Sequence, residues 1–356
     1  MLINSALGHV AIQNRPATSE APASASGLRQ TSSVAAPLAN PRAPLDTPAA
    51  ASGPDLRQIK ATKVSLDDKP AIDAIKTTLI ADAALANFPY TQDMGELGGA
   101  TAKGWGTGSG HLLQALSVGP GQKNIGDNGI LTKSGLTAYL FTNESTREAR
   151  IVFGGTTSGE KAGDLNTRTL GNLATTAKQW LANIKNVFSR TPDSYKEAAK
   201  LVSDVKDHLP AGYALSVSGH SKGGGESAYA AMMLGAKTGE PVKSINFSSA
   251  ELGAKLKQNI ASELAKGGIQ PDAIAGKFEE LGKEILHIKI KGDPVPNMHK
   301  FFGSISHIGR TLTLPNDNKS VAHLSEHVDF FSRVASWSHA GSMSHHQLIN
   351  QPRIYG

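Results

Sequence analysis

The chain contains no cysteine in 356 residues. That absence excludes a disulfide scaffold, a thiolate metal site and a cysteine nucleophile together. It suits a cytosolic protein, or one that crosses membranes unfolded. Aromatic residues make up only 5% and charged residues 19%. Averages this low arise when an unstructured piece is joined to an ordinary domain. No apolar run reaches the length of about 18 residues that a membrane-spanning helix needs. The N-terminus has no long apolar core, so no cleavable secretory signal is expected. The formal net charge of +6 mildly favours anionic partners but is too small to indicate nucleic acid.

The shortage of aromatics is uneven. The first aromatic residue is Phe88, while residues 1–60 are rich in Ala and Ser and carry 7 of the 18 prolines. Such a segment cannot bury enough surface to offset its ordering entropy, so 1–60 is expected to be a disordered tail, either a plain flexible extension or a delivery signal read in the unfolded state. Residues 61–356 are expected to form the folded domain.

Within that domain, apolar residues at helical spacing predict a helix over Ala71–Ala86. Gly95–Gly129 is glycine-rich and irregular, and reads as a long loop or a candidate lid. Leu136–Phe141 and Glu148–Phe153 read as strands around a turn. Helices are expected at Leu173–Phe188, Ser194–His208, Glu226–Ala236 and Leu252–Lys266, and strands at Tyr213–Ser218, Val242–Phe247 and Ile285–Ile290. Strands alternating with helices of this length indicate an α/β fold with a mostly parallel central sheet flanked by helices.

The chemistry concentrates in Tyr213-Ala-Leu-Ser-Val-Ser-Gly219-His220-Ser221-Lys222-Gly223-Gly224-Gly225-Glu226, a strand followed by Gly-x-Ser-x-Gly and then a helix. A serine presented on a tight strand-to-helix turn is strained, and residues two before and two after it must be small to avoid neighbouring backbone. The helix points its first N–H groups at a developing oxyanion, so Ser221 is the candidate nucleophile and the Lys222 N–H the candidate oxyanion donor. The plain alternative is a glycine-rich strand-to-helix turn with an incidental serine. A Walker loop is excluded by its different spacing.

A serine hydrolase also needs a base, an orienting carboxylate and a second oxyanion donor. Asp293 follows the strand Ile285–Ile290, 72 residues after Ser221, where an acid would stand; an ordinary turn aspartate before proline is the competing reading. The base is expected on a late loop. His346 is preferred because Leu348 and Ile349 can anchor the segment behind it; His345 is the alternative and His339 a third candidate. The second donor is expected at Thr156, after Gly154-Gly155. No metal or other cofactor is called for.

These segments together resemble the class 3 lipases among the α/β-hydrolases. The matching pieces are Ile151-Val-Phe-Gly-Gly-Thr156, Gly219-His-Ser-Lys-Gly-Gly224, Ile245-Asn-Phe-Ser-Ser-Ala250, Gly292-Asp-Pro-Val-Pro296 and a late histidine. Two departures stand out: Gly154 replaces an arginine that braces the oxyanion loop in the family, and Lys222 replaces a common leucine. The resemblance spans about residues 130–350 and implies hydrolysis of carboxyl esters in acylglycerols or phospholipids. With the tail, the chain resembles lipase-domain effectors that plant-pathogenic bacteria deliver into host cells by type III secretion. The expected partner is then a membrane lipid met by peripheral contact, with Lys222, Lys289, Lys291 and Lys300 favouring an anionic phospholipid. Two other readings are kept: a lipid-binding effector on the same fold with little turnover, and a module that binds a host protein.

Overall fold

The computed structural model describes residues 55–155, 192–293, 295–302, 305–315 and 334. The segment 1–54 and the expected helix Leu173–Phe188 lie outside the described residues.

The described strands form one sheet in the order β1-β10-β9-β8-β7-β6-β5-β4-β3, with β2 paired to β5. The strands are β1 (Thr62–Val64), β2 (Trp105–Thr107), β3 (Lys123–Ile125), β4 (Gly129–Leu131), β5 (Thr137–Asn143), β6 (Glu148–Phe153), β7 (Ala214–His220), β8 (Lys243–Phe247), β9 (Ile285–Ile290) and β10 (Arg310–Leu314). From β6 through β10 to β1 every pairing is parallel, whereas β5, β4, β3 and β2 add an antiparallel edge. Parallel strands are covered on both faces, so they read as near-continuous apolar runs. Ala149 to Phe153 of β6 are all buried.

Helix α1 (Lys69–Thr91) crosses one face of the sheet. Asp68 caps it by accepting the Ala71 N–H at 3.2 Å, Pro70 sits in the first turn, and Gln92 ends it in the left-handed conformation, as helix termini require. The helix runs five residues past its expected end at Ala86 even though Pro89 lacks an N–H. Packing offsets that loss: Phe88 meets Tyr139 and Phe141 edge to face at 4.9 and 5.1 Å, each contact worth about 0.5–1.5 kcal/mol beyond its buried area. Asp82 of α1 also forms a buried ion pair with Arg150 of β6. The Arg150 guanidinium donates to Ser216 Oγ on β7 at 2.9 Å and lies over the Trp105 ring.

The opposite face is covered by α4 (Asp193–His208), α5 (Lys222–Thr238), α6 (Ala254–Lys266) and α7 (Ile274–Gly282). In α4, Tyr195, Ala198, Leu201, Val202 and Val205 are buried, the single stripe an amphipathic helix presents to a core. Leu56 and Ile59 pack against the same core. No described helix is long and apolar enough to cross a membrane.

Gly95–Gly129 is not the open loop the glycine content suggests. It carries the short helices α2 (Gly98–Thr101) and α3 (Gly110–Gln114), and its strands β2 and β3 join the sheet. Trp105 and Leu112 are buried. Of its glycines, Gly104, Gly119, Gly121 and Gly126 take positive φ, as turns require, and the segment is folded onto the sheet rather than being a long open loop.

Candidate active site

Ser221 is the last residue before α5 and has φ 58° and ψ −126°. A non-glycine residue in that region stores strain, of order 1–3 kcal/mol. The surroundings hold it there. The Ser221 N–H donates to the Phe247 carbonyl at 3.0 Å, and its carbonyl accepts N–H groups from Ala250 at 2.9 Å and Gly224 at 3.1 Å. A Cβ on Gly219 would collide with the Gly223 carbonyl, and one on Gly223 with the Phe153 carbonyl. The two flanking glycines are therefore required by backbone contact, as the motif predicts. The helix begins directly at Lys222, four residues earlier than expected, which makes the Lys222 N–H the first of the helix-terminal donors.

The Lys222 side chain has a different task from the one anticipated. Its ammonium binds Glu226 Oε1 at 2.7 Å and the Gly135 carbonyl at 2.8 Å. Glu226 is fully buried; burial raises its pKa and Lys222 counteracts that rise. Lys222 therefore fixes the start of α5 rather than facing a lipid headgroup. Lys289 is likewise engaged, donating to Asn297 Oδ1 at 3.1 Å. Lys291 and Lys300 are exposed.

Asp293 lies just past the end of β9 and is fully buried. Its carboxylate accepts the Ser248 hydroxyl and the Val295 N–H, the latter at 2.9 Å, while Asn297 Nδ2 donates to its carbonyl at 2.6 Å. It is an oriented buried acid, not an ordinary exposed turn residue. Ser248 directly follows β8 with φ 40°; it stands inside the Ile245-Asn-Phe-Ser-Ser-Ala250 piece, where nothing local singles it out. Ser221 and Asp293 are thus set on β7 and β9, on either side of β8. Thr156, His339, His345 and His346 lie outside the described residues.

Three described histidines after β8 have other environments. His287 is buried: Ser249 Oγ lies 2.6 Å from its Nδ1, and its Nε2 is 3.0 Å from the Ile308 carbonyl. His307 stacks on it at 4.2 Å between ring centroids. Burial pushes His287 down to about 3 and His307 well below its usual value, so both are neutral structural groups. His299 is part-exposed and held by buried Glu251, at 2.7 Å to its Nδ1 and 2.6 Å from its backbone N–H.

Tyr90, near the end of α1, escaped sequence reasoning. Its hydroxyl oxygen accepts the Gly155 N–H at 3.0 Å and lies 2.8 Å from His220 Nδ1. Helical spacing in the sequence stops before Pro89, so no local signal places this residue beside the Ser221 turn. Among the described residues, no group of three or more His, Asp or Glu side chains is arranged to hold a metal ion.

A mostly parallel sheet flanked by helices, with a serine on a strained turn at the carboxyl end of a central strand, is an α/β-hydrolase fold. No protein-family model and no curated protein matches the chain. Solved structures to which it is similar include Lip2 lipase from Yarrowia lipolytica, at 17% identity over 71% of this chain and 82% of that one, TM-score 0.37. A mutant of MDLA from Penicillium cyclopium is similar at 16% identity over 74% and 85%, TM-score 0.38.

Proposed function

We propose that the protein is a serine carboxyl-ester hydrolase acting on membrane lipids. The observation that carries this reading is Ser221 itself: a strained serine, enforced by backbone contacts on both sides, at the head of a 17-residue helix. Asp293, buried and oriented two strands away, supports the role of acid. At ordinary strand spacing that separation is about 10 Å, a gap for a histidine to bridge, and His346, with His345 as the alternative, is assigned to it.

In this mechanism Ser221 Oγ attacks the ester carbonyl carbon while its proton passes to the histidine, whose tautomer Asp293 fixes. The oxyanion is stabilised by the N–H groups of Lys222 and Thr156. Collapse expels the alcohol, which takes the proton back from the histidine. Water then cleaves the acyl-enzyme by the same route and releases the fatty acid.

Exposed Lys300, beyond the end of β9, and the net charge of +6 support an anionic phospholipid over a neutral glyceride. The absence of cysteine and the Pro- and Ala-rich segment 1–60 support delivery into a host cell by type III secretion, with peripheral contact at a host membrane. The second reading, a lipid-binding effector with little turnover, is favoured by Gly154 where the resemblance calls for an arginine.

Fatty-acid release from vesicles of anionic phospholipid, of galactolipid and of triacylglycerol tests the proposal with the full chain. Release is expected from the anionic vesicles, and Ser221→Ala should lower it at least about a thousandfold. Binding of both proteins to vesicles with no release from either would establish the second reading instead.

A further inference from the structure

One hydroxyl group joins the two parts of the site that must act together. The Tyr90 oxygen accepts the Gly155 N–H at 3.0 Å and stands 2.8 Å from His220 Nδ1. A phenol has one proton to give. The oxygen also has a second lone pair, so whether it gives its proton to His220 Nδ1 or accepts one from it follows the imidazole tautomer; the 2.8 Å contact joins the two in either case. The Tyr90 ring packs edge-on against the imidazole, centroids 5.4 Å apart at 79°. Gly155 belongs to the loop that leaves β6, and His220 directly precedes the nucleophile on β7. Tyr90 comes from neither: it is carried by α1, which the Asp82–Arg150 pair fixes to β6 and, through Ser216, to β7.

The fit around Gly155 is close. A Cβ placed there would stand 3.2 Å from Ser221 Cβ and would collide with the Tyr90 oxygen. The loop is therefore held between the tyrosine and the nucleophile with no room for a side chain at 155. The preceding residue, Gly154, has no side chain with which the loop could brace itself, and the hold comes from outside it. Burial keeps the phenol protonated by raising its pKa.

We infer that Tyr90 is a positioning residue that locks the oxyanion loop against the nucleophile turn, doing from α1 what an arginine at position 154 would do from within the loop. The inference rests on the ester-hydrolase reading. It also removes the Gly155 N–H from the set of oxyanion donors, because the tyrosine oxygen takes it. Small displacements of such donors are expensive: misplacement by about 1 Å can lower a rate about a hundredfold, a loss comparable to removing a donor outright.

Tyr90→Phe in the full chain tests this, since it keeps the ring and deletes the oxygen. With a soluble short-chain p-nitrophenyl ester, assayed below the variant's unfolding transition, kcat is expected to fall about tenfold to a hundredfold while KM stays within about twofold. The rate at which a phosphonate ester, a tetrahedral mimic, modifies Ser221 should fall by the same factor, a readout that a loss of stability alone would not move. An unchanged kcat and phosphonylation rate in an otherwise active protein would overturn the inference. So would a loss confined to KM, which would make Tyr90 a substrate contact. Wild-type protein that neither hydrolyses the ester nor reacts with the phosphonate would instead remove the ester-hydrolase reading. If the variant does not fold, amide hydrogen exchange of the wild type decides: the Gly155 N–H should be strongly protected, and exchange at the rate of an open loop would contradict the lock.

Discussion

Two serines end neighbouring parallel strands, Ser221 after β7 and Ser248 after β8, and both hold left-handed backbone, at φ 58° and 40°. They share a residue type, a kind of position and a kind of strain, yet their hydroxyls serve different ends. Ser221 is enclosed by Gly219 and Gly223 and opens a long helix, which is what a nucleophile needs. Ser248 gives its hydroxyl to the buried Asp293 carboxylate, which is what an orienting group needs. The role proposed for each serine follows from what flanks it rather than from its own backbone geometry.

The strongest way to break this comparison is to exchange each hydroxyl for hydrogen. Ser221→Ala should abolish ester hydrolysis, by at least about a thousandfold, and leave the unfolding transition near that of the wild type. A comparable loss of stability would mean that the hydroxyl has a structural task as well. Asp82→Asn acts on the scaffold beneath the Ser221 strand, because it leaves Arg150 buried without its counter-ion. Such losses run to about 3–5 kcal/mol, and the unfolding free energy extrapolated from urea titrations should fall by that amount with an unchanged m-value.

Ser248→Ala is expected to have a smaller effect, a fall in kcat of about tenfold, in keeping with the loss of one hydrogen bond to a charged group. Ser248→Gly sharpens the contrast: it relieves the left-handed strain but also lacks the hydroxyl. Stability should recover relative to the alanine variant while kcat does not. Recovery of kcat would assign the effect to backbone strain instead.

The mildest prediction concerns pH. His287, bonded to Ser249, and His307 stacked on it are buried neutral, with His287 at about 3 in the folded state against 6.5 unfolded. Between those values the unfolded chain binds more protons, so their contribution is complete above about pH 6.5 and is lost progressively as pH falls toward 3. The melting temperature should fall between about pH 7.5 and about pH 5, and His307→Phe should reduce that fall. Equal slopes in the two proteins would show that other groups set the pH dependence.

What the sequence revealed follows the range over which each signal acts. The β7 strand, the Ser221 turn and the start of the helix behind it are encoded within 14 consecutive residues, and their alternation and glycine spacing were legible. Asp293 was legible because it follows a strongly apolar strand. Tyr90 was not, since its partners lie 65 and 130 residues away and a proline interrupts the helical pattern just before it. Ser248 was hidden for the same reason, with Asp293 45 residues on. The reading of Lys222 as a headgroup contact failed because its partner, Glu226, lies one turn along a helix whose start had been placed at Glu226 itself. Gly95–Gly129 misled because glycine marks turns between short strands as readily as it marks loops.

The central claim is that Ser221 is the nucleophile of an ester hydrolase, and covalent labelling tests it most directly. The full chain would be treated with a fluorophosphonate, digested and mapped by mass spectrometry, with fatty-acid release followed in parallel. The account predicts a single adduct on Ser221, absent from Ser221→Ala, with release lost in proportion to labelling. Labelling at another residue, or hydrolysis that persists undiminished in the Ser221→Ala variant, would contradict it.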